Sequence, residues 1–208
     1  KAGWELPAFD YQSVRTRTLD SPCWIHFGAG NIFRAFHARI LQELLDRGLW
    51  DRGVTAVSGT NPSVIKEYFH PHDNLSLLVT LGGNGALTKT VVASIMESLP
   101  AAGGDAGSLE RLRKIFSSSS LQMASFTITE KGYALRDASG AFRPDLSADL
   151  ARGPESCKSY LGLVTSLLYT RFQKGRAPLA MVSMDNCSHN GDVLKESILT
   201  IAGQWQAM

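Results

Sequence analysis

Apolar positions along this chain alternate between two rhythms, one of strands and one of helices. Trp24 to Phe27 is a short apolar run that ends in glycine, which predicts a buried strand. Phe36, Ile40, Leu41, Leu44 and Leu45 then fall at helical spacing, with Gly48 as the stop. Val54 to Ser58 predicts a second strand. Asn61 and Pro62 follow as the cap and first-turn proline of a helix bearing Val64, Ile65, Tyr68 and Phe69, which Pro71 ends. Further along, Ser108 is placed to cap a helix carrying Leu109, Leu112, Ile115 and Phe116, and Met123 to Ile128 predicts the next strand. A helix from about Glu155 to Gln173 shows Tyr160, Leu161, Val164, Leu167, Leu168 and Phe172 on one face. Gly175 closes it, Leu179 to Met184 forms another apolar strand, and Val193, Leu194, Ile198 and Ile201 mark a last helix.

One region breaks this rhythm. Leu75, Leu77, Val79 and Leu81 alternate with other residues, Gly82 to Gly85 is a turn, and Thr88 to Ile95 is again strand-like, so an antiparallel hairpin is expected. Residues 1–22 have no clear period and read as an extended arm lying on the body. Residues 101–107 read as a flexible connection, and Asp137 to Pro154 as a loop rich in Asp, Pro and Gly. Strands alternating with helices predict an α/β fold with a mainly parallel sheet, helices on both faces and an inserted β-hairpin. Ligands of such sheets bind at the carboxyl ends of strands. The loops with unusual chemistry all follow strands: Gly28 to Arg34, Gly59 to Asn61, Thr129 to Tyr133 and Asp185 to Gly191.

With 208 residues, 44% of them hydrophobic, the chain can build one substantial core. Its 21 basic and 19 acidic residues include no Lys/Arg run, which argues against a nucleic-acid surface. No apolar run reaches the length of a membrane span. Cys23, Cys157 and Cys187 are far apart and form no C-x-x-C pair. Reduced thiols and a cytoplasmic location are therefore expected, with neither a disulfide framework nor a zinc site. His26 and His37 lack partners at metal-ligand spacing and are expected to be buried and satisfied. His70, His72 and Asp73 cluster around a proline, but no metal is expected there.

The glycine loop is either a nucleotide-binding loop or a merely structural turn, and its strand–turn–helix setting favours the first. Gly28 allows a tight turn out of the first strand, and Gly30 lets backbone approach a pyrophosphate. Asn31 and Ile32 open a helix whose N–H groups and positive dipole end face that anion, and Arg34 can add a charge-assisted contact. Phe33 stands where the usual third glycine would be. After the second strand comes Ser58-Gly59-Thr60-Asn61, without the carboxylate that holds the adenosine ribose of NAD. Asn61 serves either the ribose hydroxyls or the helix cap, and the choice between NAD and NADP stays open.

Three segments together resemble one family. They are HFGAGNIFRAFHA (His26 to Ala38), TITEKGY (Thr127 to Tyr133) and VSMDNCSHNG (Val182 to Gly191). Their order and content are similar to the polyol-specific long-chain dehydrogenases, the family of mannitol 2-dehydrogenase, fructuronate reductase and tagaturonate reductase. The resemblance implies a Rossmann-type dinucleotide-binding domain over residues 23–208, binding NAD or NADP. Phe33 and Arg34 then belong to a family variant of the nucleotide loop, and Thr129 and Glu130 lie near the nicotinamide ribose. Asn186 matches an amide that steadies the alkoxide; its alternative is an Asp-Asn turn bonded to backbone. Asn190 either holds substrate or starts the last helix. Lys131, beside Glu130, is expected to be an exposed ion pair rather than a base.

The family's general-base Lys, with its Asn and His companions, lies in a C-terminal helical domain and has no counterpart here. The expected protein is thus the cofactor-binding half of a metal-independent oxidoreductase acting on a sugar alcohol or sugar acid. Its missing partner is the catalytic domain. The alternatives are a dinucleotide sensor without turnover and an enzyme like mannitol-1-phosphate 5-dehydrogenase.

Overall fold

The computed structural model describes residues 3–59, 61–101 and 106–207, without the side chains of Glu130 and Lys131. The described residues form seven strands: β1 (Trp24–Phe27), β2 (Val54–Ser58), β3 (Ser76–Leu81), β4 (Leu87–Val92), β5 (Ile95–Pro100), β6 (Met123–Phe126) and β7 (Ala180–Ser183). The α-helices are α1 (Tyr11–Asp20), α2 (Ala38–Asp46), α3 (Ala106–Ser117), α4 (Pro144–Arg152), α5 (Tyr160–Gln173) and α6 (Asn190–Gln206). Five strands form one parallel sheet in the order β5-β2-β1-β6-β7, and β3 and β4 form a separate antiparallel hairpin. The chain begins in the middle of the sheet, moves outward through β2 and β5, then crosses to β6 on the other side of β1. The order therefore reverses between β1 and β6, where such sheets open a crevice.

Period two along β1 divides the core. Ile25 and Phe27 face a cluster with Leu112, Phe116, Val164 and Leu167 from α3 and α5. The opposite face packs Phe33, Leu41 and Leu45 against Val54 and Ala56. The expected parallel sheet, two helical layers and inserted hairpin are all present.

Several elements differ from the sequence reading. The helix after β1 buries Phe33, Ala38, Leu41, Gln42 and Leu45, whereas Phe36, Ile40 and Leu44 are exposed. A π-helical turn over Phe33–His37, closed by Ala38 N–H on the Phe33 carbonyl, adds a residue and rotates the buried face. Residues 11–20 of the expected arm are helical. Asp10 caps α1 by accepting the Ser13 N–H, and the helix buries only Val14 and Thr18, too few to show a period. Ahead of that helix, Glu5 pairs beside β4.

The run read as Thr88 to Ile95 is two strands in two sheets. Buried Gln42 holds the break between them, its amide bonding Val91 O and Ala93 N, while Ser94 Oγ donates to Ala38 O. The helix expected to start at Ser108 begins at Ala106; of the expected connection, residues 102–105 lie outside the described residues. The loop expected over Asp137 to Pro154 contains α4, and α5 begins at Tyr160 rather than near Glu155.

Arg171, 5% exposed, pins the far end of α5. Its guanidinium donates to the carbonyls of Phe116, Ser118, Leu121, Ala177 and Pro178. Replacement by Met leaves those carbonyls without their donor. Arg171→Met is expected to lower unfolding free energy by about 3 kcal/mol in urea melts. The exposed neighbour change Arg176→Met should cost under about 0.5 kcal/mol; equal losses would deny Arg171 this role.

Candidate functional site

Gly28 continues the β1 ladder through its N–H to Val57 O (2.9 Å) and turns with φ +148°. A Cβ there would lie 2.2 Å from Thr127 Oγ1 and 2.7 Å from Thr127 O, so the close approach of β1 to β6 requires glycine. At Gly30 a Cβ would meet nothing within 4 Å, and the open side is a cleft of about 490 Å³. Three strand-end loops line this cleft: Gly28 to Gly30 after β1; Ser58, Gly59 and Asn61 after β2; and Thr127 to Thr129 after β6. The starts of α4 and α5 complete it with Arg143, Asp145, Leu146 and Lys158 to Leu161.

Phe33 sits under the turn, fully buried, rather than on the cleft wall. Its ring stacks on His26 of β1 at 3.8 Å between centroids and 7° between planes, with Trp24 edge-on to it. A ring pair thus fills the junction where a third glycine would let helix and strand touch. His26 is buried and bonded on both nitrogens, Nδ1 to Ser125 Oγ (2.7 Å) and Nε2 to Thr127 Oγ1 (2.8 Å); Trp24 Nε1 donates to the same Ser125 hydroxyl. Burial, reinforced by the neighbouring His37, pushes the His26 pKa down to about 3. The buried Nδ1 of His37 has no hydrogen-bond partner among the described residues, so the expectation of a satisfied histidine fits His26 and not His37.

Asn31 and Ile32 are exposed at the helix start, beside the cleft lining rather than in it. The Arg34 guanidinium turns aside: it bonds Asn31 Oδ1, packs over the Phe69 ring at 5.6 Å and lines a recess of about 230 Å³ against β3. Asn61 lines the main cleft while its Oδ1 accepts the Ser63 N–H (3.0 Å), a capping contact. Thr129 is an exposed part of the lining, and the side chain of Glu130 lies outside the described residues.

The loop after β7 braces the loop after β6 from behind. Asp185 Oδ2 accepts from Ile128 N (3.0 Å) and Tyr133 OH (2.5 Å), and Ser183 Oγ lies 2.7 Å from the same phenol. Burial and the bond to Asp185 hold Tyr133 well above the ordinary phenol range. The Asn190 amide donates to Asp185 O (2.7 Å), so it organises its own loop and opens α6. Asn186 is exposed, makes no hydrogen bond among the described residues and stands outside the cleft lining. His70 Nε2 contacts Ser98 O, and no group of three His, Cys, Asp or Glu side chains gathers as for a metal among the described residues.

One organising residue was invisible in the sequence. Fully buried Asp149 of α4 accepts the N–H groups of Lys158 (3.0 Å) and Ser159 (2.7 Å) and the Ser159 hydroxyl (2.6 Å), with Arg152 beside it. It fixes the start of α5 at the cleft. Gly162 faces it so closely that a Cβ would lie 2.7 Å from Asp149 Oδ2.

A glycine turn, a helix start and a cleft at the strand-order reversal define a Rossmann-type domain. The family model described as the mannitol dehydrogenase Rossmann domain matches residues 23–207, and the chain belongs to that family. It is 42% identical to D-mannonate oxidoreductase of Thermotoga maritima, over 99% of this chain and 39% of that protein. Identity to mannitol 2-dehydrogenase of Cereibacter sphaeroides is 29%, over 97% of this chain and 40% of the relative. Among solved structures, Pseudomonas fluorescens mannitol 2-dehydrogenase, in ternary complex with NAD and D-mannitol, superposes with TM-score 0.81 at 28% identity. That match covers 100% of this chain and 41% of the other. The chain thus spans about two-fifths of the length of the relatives it matches.

The His26 geometry predicts a pH dependence. In the unfolded chain an imidazole titrates near 6.5; in the folded one it stays neutral until about 3. Its contribution is complete above pH 6.5 and is lost as pH falls through that window, by up to about 1.4 kcal/mol per unit. Stability curves of wild type and His26→Gln between about pH 7 and pH 4.5 should therefore converge as pH falls. Parallel curves would show that His26 takes up its proton in the fold as readily as in the unfolded chain.

Proposed function

We propose that this chain is the cofactor-binding half of an NAD(P)-dependent oxidoreductase acting on a secondary alcohol or ketone of a sugar acid or sugar alcohol. The observation that carries this reading is the cleft over the β1 turn, which the missing side chain of Gly30 leaves open at the start of a helix. The arrangement fits a dinucleotide. Backbone N–H groups at the helix start face the pyrophosphate, the β2 end with Asn61 receives the adenosine ribose, and Thr129 lies toward the nicotinamide ribose. When bound, the nicotinamide supplies or accepts a hydride at the alcohol carbon. Asn186, an uncommitted amide beside a braced loop, steadies charge on the substrate oxygen. Asp185 and Asn190 hold that loop in place.

Identity to a D-mannonate oxidoreductase at 42%, against 29% to a mannitol 2-dehydrogenase, supports a sugar acid as substrate. Glu130 is assigned to the cofactor side by family resemblance alone. The proton-accepting base belongs to the further length that the relatives have. A cytoplasmic location is supported by three free thiols, of which burial pushes Cys157 up to about 12 and Cys23 upward. No helix among the described residues is long and apolar enough to cross a membrane.

Fluorescence titration of the full-length protein with NADH and NADPH tests the cofactor site. Saturable binding of at least one is expected, and Gly30→Arg should abolish it without lowering Tm, since that position meets no protein atoms. Binding that survives Gly30→Arg would move the cofactor elsewhere. For the substrate side, Asn186→Ala should lower kcat by about 100-fold or more while cofactor Kd changes by less than about twofold. Equal loss in both would remove its assigned role.

A further inference from the structure

We propose that Lys158 binds a phosphate group of the dinucleotide held in the cleft, an assignment that rests on the cofactor reading above. Arg143, Asp145 and Lys158 are the charged residues lining the cleft among the described side chains. Arg143 is committed to Asp145 at 3.2 Å, and that pair carries no net charge. Lys158 makes no ion pair among the described residues and is exposed, so among the described side chains of the cleft wall it is the one uncompensated positive charge.

Two anchors fix where that charge sits. The Lys158 N–H is bonded to both carboxylate oxygens of buried Asp149 at 3.0 Å, so the backbone at this point is held by the fold. Two residues on, the Tyr160 ring packs against Gly59 so tightly that a Cβ on the glycine would lie 2.1 Å from it. The start of α5 is therefore pressed onto the end of β2, where the adenosine ribose is expected. That strand end reads Ser58-Gly59-Thr60-Asn61, and the next acidic residue along the chain is Glu67. In this loop no carboxylate stands to repel a ribose phosphate, and a lysine stands to attract one.

A lysine here engages phosphate as a point charge. Two phosphates come within this chemistry, the 2′-phosphate of NADP and the pyrophosphate shared by both cofactors, and their response to substitution separates them. Lys158→Gln keeps the backbone N–H and its bonds to Asp149, so the fold is retained. Affinity of the full-length variant for NADH and NADPH is measured at low and moderate salt. A loss of about tenfold is expected at low salt, shrinking as salt rises, with Lys158→Arg largely restored. Loss for NADPH alone identifies the 2′-phosphate; equal loss for both identifies the pyrophosphate. Lys174→Gln, just past the other end of α5, should change neither. Unchanged affinity of Lys158→Gln for both cofactors, with wild type binding normally, overturns the proposal and leaves the cofactor reading standing. Wild-type protein that binds neither cofactor refutes both.

Discussion

The buried imidazole of His26 ties together the three parts on which the cleft depends. It sits on the central strand, bonds Ser125 and Thr127 of β6, and stacks on Phe33 from the helix that follows the glycine turn. The pair β1–β6 is the point where the strand order reverses, so these bonds fasten the crevice along its seam. Stacking at 3.8 Å sets the height of the helix above the sheet, a distance that direct glycine contact would otherwise set. Ionised imidazole would carry its charge into a site with no exposure and, among the described residues, no carboxylate partner, which explains why the ring stays neutral. Phe33 is thus a structural answer to a spacing problem, and the face of the turn toward the cleft is left to backbone.

Elsewhere the chain uses single buried polar side chains at three of its changes of direction. Gln42 spans the break between β4 and β5, Asp149 gathers the N–H groups that open α5, and Arg171 gathers the carbonyls around its far end. Each meets backbone groups that a bend has taken out of regular pairing, and an unpaired buried group costs about 1–3 kcal/mol. Asp149 and Arg171 act at the two ends of α5, so the helix is fixed in length and direction. The cleft wall it provides, from Lys158 to Leu161, inherits that rigidity.

These devices set the limit of what the sequence discloses. Period and punctuation reveal the alternating fold, the hairpin and the loops at strand ends, because burying one face leaves a repeat in the residues. A π-helical turn breaks the repeat: Phe36, Ile40 and Leu44 have helical spacing yet face outward, since the turn at Phe33–His37 has rotated the helix. Helix α1 rests on Val14 and Thr18, and α4 on little more than Leu146 and Asp149, so neither shows a stripe. Alternation also marks a face without saying what covers it. Leu77, Val79 and Leu81 alternate as a strand should and are all exposed. Of the candidate site, the glycine turn and the strand-end loops are legible. The directions of Arg34 and Asn31, away from the main cleft, are not, because a motif gives order along the chain and not the rotamer.

The glycines around the cleft show why folding and binding can be separated here. Gly28 and Gly59 both border it, yet a side chain on either would strike protein, Thr127 in one case and the Tyr160 ring in the other. Their lack of a side chain serves packing. Gly30 differs: its φ is not left-handed and no protein atom lies within reach of a Cβ. Nothing among the described residues demands glycine at that position, and what its missing side chain leaves is open cleft. The two glycines of the G-x-G pattern thus differ in kind: Gly28 is required by its packing against β6, whereas Gly30 is free of any packing demand among the described residues, so only Gly30 can be changed to test the proposed cofactor site without disturbing the fold.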